Sequence, residues 1–183
     1  MSASITIRCA TDDDLARIQE IVREADARFA SSPHPELADG STIPPDVASR
    51  ATSEQRLLVA ELGGVVAGLV YLGRIEGELC IGQVSVALDA GRVGVGSALV
   101  RAVIDAARRR GEPSIVLNTQ RDVPWNAPFF ARHGFEVIPR DAWGPGLVRV
   151  SDAQSADGLD WATRVHMRLV LAPGASASAR RSS

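Results

Sequence analysis

Lysine is absent from this chain of 183 residues, and all 20 of its basic residues are arginine. A phosphate-binding P-loop needs a lysine directly after its glycines, so this class of nucleotide site is excluded. Nucleic-acid-binding domains present a clustered basic surface. The net charge of this chain is −2, which argues against such a surface. We therefore expect no nucleic-acid partner.

Cysteine and long apolar runs are scarce as well. The two cysteines, Cys9 and Cys80, are too few for a disulfide framework or a metal site, and we expect both to be buried free thiols. No apolar run approaches the roughly 20 residues that span a bilayer, and the N-terminus shows no secretory signal. The sequence thus predicts a cytoplasmic protein with no metal and no membrane partner.

A glycine-rich turn between an apolar strand and an apolar helix is the most informative feature that is present. The turn, GRVGVG at residues 91–96, joins a predicted strand at 81–88 to a predicted helix at 96–110. Glycines expose backbone N–H groups and a helix N-terminus adds positive charge, so the turn suits a pyrophosphate. The spacing does not fit the dinucleotide fingerprint G-x-G-x-x-G, because Leu99 stands where the third glycine would be.

A second motif, NTQRDVPWNAPFFARHGF, occupies residues 118–135. Together the two motifs resemble the GNAT acetyltransferase superfamily, whose coenzyme A loop has the pattern Gln/Arg-x-x-Gly-x-Gly/Ala. The Val-Pro-Trp-Asn-Ala-Pro run is similar to a small bacterial subgroup of that superfamily. The likeness covers residues 4–172 and departs at Gly91, which stands where Gln or Arg is expected.

The resemblance implies an α/β (α+β) fold of GNAT type, with a mixed twisted sheet that is flanked by helices and split in a V at the fourth strand. It implies a single domain at 1–172, and we expect a disordered tail at 173–183 from its composition. We expect residues 140–163 to form a long loop. Hydrophobic periodicity predicts strands at 5–8, 57–61, 65–72, 78–88, 114–119, 135–138 and 164–171, and helices at 15–25, 45–54, 96–110 and 127–133.

The activity that the resemblance implies is direct acetyl transfer from acetyl-CoA to the primary amine of a small molecule. No cysteine occupies a plausible nucleophile position, which favours direct transfer. An aminoglycoside-type antibiotic, a polyamine and an amino acid are candidate acceptors. Acetylation of protein N-termini or lysines, and a non-catalytic coenzyme A sensor, remain as alternatives, and a homodimer is plausible.

The cofactor residues follow from the motif positions. We expect the pyrophosphate on the amides of residues 92–97, pantetheine along Val84 and Val86, and the thioester oxygen near the Val86 N–H. Asn126 either faces the cofactor or caps a helix, and the two phenylalanines of the motif either wall the coenzyme arm or pack in the core. The expected cofactor set is Val84, Val86, Gly91, Arg92, Val93, Gly94, Val95, Gly96, Ser97, Asn126, Phe129 and Phe130.

The proton-transfer residues are less clear from the sequence. The superfamily often places an acidic tyrosine where this chain has Phe130. Candidate bases are Glu78, acting through water, and His34 in an acidic loop. Glu78 is alternatively a solvated strand end, and His133 and His166 are expected to be structural.

Acceptor contacts are expected from acidic and aromatic side chains in loops. The acidic loop at 34–39 and the aspartates after residue 150 favour a cationic acceptor. Loop tryptophans either line a pocket or bury a loop against the sheet. The expected substrate-binding set is Glu36, Asp39, Gln83, Asp122, Trp125 and Trp143.

Overall fold

The computed structural model describes residues 4–171. The strands in this range are β1 (Ile5–Cys9), β2 (Leu57–Leu62), β3 (Val65–Ile75), β4 (Glu78–Val86), β5 (Ser114–Gln120), β6 (Glu136–Val137) and β7 (Arg164–Val170). The α-helices are α1 (Leu15–Ala27), α2 (Pro45–Ser53), α3 (Val95–Arg109), α4 (Ala127–Ala131) and α5 (Pro145–Ala156). The predicted disordered tail at 173–183 lies outside the described residues.

The strands form one mixed sheet in the order β1-β2-β3-β4-β5-β7-β6. Neighbours run antiparallel except β4 and β5, which are parallel and are joined through α3. A parallel pair needs such a crossover, because the chain must return to the edge where the first strand began. This arrangement confirms the predicted α/β fold of GNAT type, with a mixed sheet that is flanked by helices.

Helix α3 defines one face of the sheet. Its buried stripe includes Leu99, Val100 and Val103, each at most 1% exposed, at the spacing expected of an amphipathic helix. The helix passes so close to β3 that a Cβ on Gly68 would lie 2.7 Å from Val95 Cγ1. Because strand side chains alternate between faces, this contact fixes which residues of β3 and β4 point towards α3.

The sheet opens between β4 and β5. The two strands pair only where Leu79–Ile81 face Ile115–Leu117; beyond that, β4 stays with β3 and β5 stays with β7. A bulge bends β4 at this point, because Gly82 has no partner in the register between Tyr71 and Leu72. A Cβ on Gly82 would lie 2.8 Å from the Tyr71 ring, so glycine is what allows this bulge.

The long loop predicted at 140–163 is wrong in one respect, because it contains helix α5. Pro145 stands at the first helical position, where its missing N–H costs nothing and its φ suits a helix. Leu147 and Trp143 then pack with Val116 and Ile138 in a small second core. The glycines and the proline concealed the helix from a reading of periodicity alone.

The two cysteines differ in their surroundings. Cys80 is buried in that second core, and burial raises the pKa of its thiol to about 12. Cys9 ends the edge strand β1 and is exposed, so the prediction that both are buried is wrong for Cys9. Among residues 4–171, no helix is long and apolar enough to cross a membrane, and no group of three or more His, Cys, Asp or Glu side chains is placed to hold a metal ion.

Candidate active site

A cleft of about 980 Å³ occupies the opening between β4 and β5. Its volume lies at the upper end of the range for small-molecule and cofactor sites. Side chains of both sheet faces line it. Val84 and Val86 point towards α3, whereas Gln83 and Ser85 point to the opposite face. The cleft therefore passes through the sheet and is accessible from both faces.

The glycine turn forms one end of this cleft. Arg92 and Gly94 both have positive φ, 67° and 97°, a backbone shape typical of anion-binding concavities. The first turn of α3 follows at residues 95–97, whose N–H groups make no backbone hydrogen bond of ordinary geometry within the described chain. The turn carries no acidic side chain. These features fit a pyrophosphate at the positive end of a 15-residue helix.

The free edge of β4 offers further backbone groups to the cleft. The N–H of Ala87 donates to the carbonyl of Ala67, so Ala87 is turned towards β3. Because hydrogen-bonding direction alternates along an antiparallel pair, the N–H and C=O groups of Val84 and Val86 point the other way, into the opening. These unpaired backbone groups of Val84 and Val86 are of the kind that the predicted pantetheine contacts require, because pantetheine contains amide groups that can pair with them.

Helix α4 encloses the glycine turn from the side. The Phe129 ring packs over Gly96, where an added Cβ would lie 3.5 Å from both Phe129 Cζ and Val86 Cγ2. The hydroxyl of Ser97 lies 3.2 Å from Nε2 of His133. Burial, and then the charges of Arg101 and Arg132, lower the pKa of His133, which favours its neutral form.

Asn126 precedes α4 and lines the cleft. Its side chain makes no capping hydrogen bond to the helix, so the simple N-cap alternative lacks its defining contact. The amide is therefore free to bind a ligand.

Most of the expected cofactor set lines this one cleft. Val93 differs, because its side chain is 55% exposed and only its backbone belongs to the turn. The members that line the cleft are Val84, Val86, Gly91, Arg92, Gly94, Val95, Gly96, Ser97, Asn126, Phe129 and Phe130.

Phe130, at the position where the superfamily often has a tyrosine, lines the cleft and has no hydroxyl. Its ring is 8% exposed and packs edge-on against Phe129 and Phe135. Tyr71, the single tyrosine of the chain, packs on Gly82 and its hydroxyl accepts a hydrogen bond from Arg56 at 3.1 Å. It does not line the cleft.

Asp26, near the end of α1, is a cleft residue that the sequence reasoning missed. Its carboxylate makes no hydrogen bond or ion pair within residues 4–171. Burial, reinforced by the negative charge of Asp39, raises its pKa from the ordinary 3.8 to about 6. A half-buried carboxylate with this pKa can accept a proton near neutral pH. In the sequence Asp26 is one acid of an amphipathic helix, with no motif to distinguish it.

Three of the expected acceptor residues do line the cleft: Asp39, Gln83 and Trp125. The Gln83 amide donates to the Ser85 hydroxyl at 3.1 Å. Trp125 packs edge-on against Phe29, and the Arg28 guanidinium lies 4.5 Å from its ring centroid. The contacts of Trp125 with Phe29 and Arg28 join the segment between β5 and α4 to the residues that follow α1.

Glu78 lies away from the cleft, so its assignment as a base is corrected. It begins β4, whereas the cleft opens beyond Ile81, towards the end of that strand. Its carboxylate accepts hydrogen bonds from Arg168 at 2.8 and 3.0 Å and from the Ser114 hydroxyl. Glu78 of β4 therefore forms an ion pair with Arg168 of β7 and has a structural role.

His34 is likewise outside the cleft lining. It is 6% exposed, and its Nε2 lies 2.7 Å from Oδ1 of Asp122. Glu36 lies 3.5 Å from the other ring nitrogen. The histidine lowers the pKa of Asp122 through this hydrogen bond. The three residues expected at the site thus form a contact between two loops, which corrects their assignment to catalysis and acceptor binding.

Trp143 is the remaining correction. Its indole N–H donates to the Ile138 carbonyl at 3.0 Å, and its ring packs edge-on against Trp161 and His166. For Trp143, the expected alternative of a tryptophan that packs a loop against the sheet applies. Its ring is part of the apolar surface on which Leu147 of α5 packs. His166 is fully buried in this group, as a structural histidine would be.

Comparison with known proteins agrees with the geometry. A profile of the acetyltransferase (GNAT) family matches residues 18–135, more than half of the chain.

Solved structures share the fold at low identity. YncA from Salmonella typhimurium, whose structure contains its cofactor acetyl-CoA, is 24% identical over 97% of this chain and 99% of that one, with a TM-score of 0.63. N-acetylglutamate synthase from Neisseria gonorrhoeae, complexed with coenzyme A and N-acetyl-glutamate, is 20% identical over 94% of this chain and 36% of that longer one (TM-score 0.68). The ribosomal-protein-S18-alanine N-acetyltransferase from Escherichia coli is 19% identical over 95% and 99% (TM-score 0.64).

Proposed function

This chain belongs to the acetyltransferase (GNAT) family of acetyl-CoA-dependent N-acetyltransferases, and we propose that its acceptor is the primary amine of a small molecule. The observation that carries the proposal is the cleft through the sheet. The N–H groups of the glycine turn line the cleft at the start of α3. The carboxylates of Asp26 and Asp39 line it from α1 and the loop that follows; α1 packs on β3 and β4 as α3 does, but from the other face of the sheet. An anionic acetyl donor and a cationic acceptor can therefore approach from opposite faces.

The donor is held mainly by the backbone. Residues 92–97 bind the pyrophosphate, the free edge of β4 at Val84 and Val86 binds pantetheine, and Phe129 and Asn126 enclose the arm. When bound, acetyl-CoA supplies a thioester whose carbonyl an amine can attack directly. In this proposal the N–H of Val86 stabilises the oxygen that gains negative charge during this attack.

Asp26 is the base in this proposal. An ammonium must lose a proton before its nitrogen can attack. Asp26 is a carboxylate of the cleft with a pKa of about 6 and no hydrogen-bond or ion-pair partner among the described residues. Asp39, whose hydrogen bonds from Ser41 lower its pKa, remains ionised and attracts the cation. Phe130 supplies no proton, so the departing thiolate is protonated by water.

A small acceptor is favoured over a protein by the way the cleft is walled. Leu159, in the segment after α5, and Leu37, in the loop before α2, both line it. These contributions narrow the acceptor side, whereas a protein substrate would need an open groove. Aminoglycoside-type antibiotics and polyamines are therefore proposed among the acceptors, together with amino acids.

Release of coenzyme A, followed with a thiol reagent, tests the proposal across a panel of aminoglycosides, polyamines and amino acids. Turnover on a small amine supports it. Acetylation of peptide N-termini or lysines with none on small amines would establish a protein acceptor instead. An increase in melting temperature with acetyl-CoA, but no turnover on either panel, would indicate a binding module.

A further inference from the structure

Arg164, the first residue of β7, lines the cleft as a guanidinium without an acidic partner. Its Nη2 donates to the Asn118 side-chain oxygen at 2.5 Å. With the Gln120 amide turned so that its nitrogen donates to Thr163, its oxygen accepts from Nη1 at 3.2 Å. The Nε group is buried with no hydrogen-bond partner. Among residues 4–171, no carboxylate lies within ion-pair distance of Arg164.

This arrangement is unusual for a half-buried cation. Burial lowers the pKa of Arg164, because the charged form loses its water without a negative charge in return. Arg168, on the same strand, instead pairs with Glu78 at 2.8 Å. Neutral amide oxygens position the Arg164 guanidinium but leave its charge uncompensated, which is the state expected of a group that meets an anionic ligand.

The position of Arg164 indicates which ligand this is. Asn118 and Gln120, its two partners, alternate with Leu117 and Thr119 along β5 and share the face of Val116. Val116 pairs with Cys80 and packs under α5, on the face opposite α3. The glycine turn and its pyrophosphate site lie on the α3 face, so Arg164 faces the acceptor side of the cleft.

We propose that the acceptor carries a carboxylate beside its amine, and that Arg164 binds this carboxylate. This inference rests on the proposed function and makes it more specific, since it selects amino acids and related amino-carboxylic acids as the acceptor class. A planar guanidinium matches a carboxylate well. A dianionic phosphate fits less well, because Asp26 and Asp39 line the same cleft and would repel it.

The cleft thus has complementary charges for a zwitterion. The acids that attract the ammonium come from the end of α1 and the loop before α2, whereas the guanidinium comes from β7. An amine without a carboxylate would leave Arg164 unpaired in a desolvated wall, and that cost discriminates against it.

The test compares matched acceptors that differ only in the carboxylate: L-amino acids against their α-amides, and 4-aminobutyrate against butylamine. For the native protein we expect kcat/KM to favour the acid of the preferred pair by about 10- to 100-fold, the range for a hydrogen-bonded charge. In R164Q the preference should fall to within about twofold. R164K should retain part of it, because it keeps the charge but loses the planar fork.

R140Q is the matched control. The guanidinium of Arg164 lies 5.7 Å from the centroid of the Trp161 ring, and that of Arg140 lies 5.1 Å from the centroid of the Trp143 ring. Arg140, however, is exposed and lies outside the cleft lining. It should keep the full preference for carboxylates. Melting temperatures with and without acetyl-CoA show whether R164Q is folded and still binds the donor, and R164K supplies the comparison if R164Q does not fold.

Two results would overturn the inference while leaving the proposed function intact: native turnover that is equal for acids and amides, or a carboxylate preference that survives in both R164Q and R164K. Failure of the proposed function looks different, because then no amine of either kind releases coenzyme A. In that case, stabilisation of the native protein by N-acetyl-L-amino acids in the presence of coenzyme A, lost in the Arg164 variants, would still support the carboxylate site. Its absence would refute the site.

Discussion

The two sides of the cleft are built in different ways. On the donor side, a continuous segment at 91–97 provides backbone N–H groups, and the adjoining edge of β4 provides more. On the side where we propose that the acceptor binds, called the acceptor side, single side chains from separate elements line the cleft: Asp26 from α1, Asp39 from a loop and Arg164 from β7. The donor side is therefore a local structure, whereas the acceptor side exists only once the whole sheet is assembled.

This difference matches the chemistry of the two ligands. The pyrophosphate of coenzyme A is the same whatever the acceptor, and a backbone site recognises it largely independently of side-chain identity. Acceptors vary, and a surface made of scattered side chains can change one residue at a time. We therefore expect substitutions on the two sides to affect different kinetic parameters.

The largest expected effect is on the acceptor side, in Asp26→Asn. We expect kcat to fall by about 100-fold or more, because the variant cannot accept the proton of the ammonium. In the native protein, kcat/KM should fall as the pH drops below about 6, where Asp26 becomes protonated, and this acidic limb should disappear in the variant. KM for acetyl-CoA should stay near its native value. Glu78→Gln is the matched control and should retain native kcat.

Stability gives a second readout for Asp26. Its folded-state pKa lies above the ordinary 3.8, so the folded protein binds this proton more tightly than the unfolded chain does. The stability that this binding contributes is present at low pH and is lost as the pH rises towards 6. Asp26→Asn should therefore raise the free energy of unfolding at pH 7 by about 1 kcal/mol, after allowance for solvent screening. A loss of stability in Asp26→Asn would contradict the raised pKa of Asp26, and its loss of activity would then not be evidence for a base.

On the donor side, Gly94→Ala should raise KM for acetyl-CoA by about 10- to 100-fold. Space is not the cause, because no atom lies within 4 Å of the added Cβ; the cause is φ of +97°, which costs a side chain about 1–2 kcal/mol and turns the N–H groups away. Gly64→Ala, with φ of +84° in the β2–β3 hairpin and equally open space, carries the same strain outside the cleft. Equal KM values in the two variants would show that Gly94 has no special role in the donor site.

The same contrast explains what the sequence could predict. Gly94, Asn126 and Phe129 lie in contiguous motifs, so their positions in the chain indicated their place in the fold. Asp26 and Arg164 have no such neighbours. Each becomes distinctive only when a distant element contacts it, as Asn118 of β5 does for Arg164. Glu78 was misplaced for a related reason, because a strand pattern does not show at which residue two strands separate.

A smaller effect is expected in His34→Gln, which tests how the acceptor side is held together. The ring bonds Asp122 at 2.7 Å and links the loop that carries Leu37 and Asp39 to the start of the α4 segment. Replacing the imidazole should lower the free energy of unfolding by about 1–3 kcal/mol, because the partly buried hydrogen bond to Asp122 is lost. We expect KM for the acceptor to rise a fewfold, with KM for acetyl-CoA and the pH profile unchanged. A large loss of kcat with normal stability would return His34 to the candidate bases.

The smallest expected effect is in Phe130→Tyr, which supplies the hydroxyl that the donor side lacks. Coenzyme A is a fair leaving group, so a nearby acid should gain little, and we expect kcat to stay within about threefold of the native value. The ring is 8% exposed and packs against Phe129 and Phe135, so a poorly paired hydroxyl should instead lower the melting temperature slightly. A tenfold or greater rise in kcat would show that protonation of the thiolate limits the native enzyme. It would also mean that the difference between the two sides of the cleft extends to catalysis, with the base provided on one side and no acid on the other.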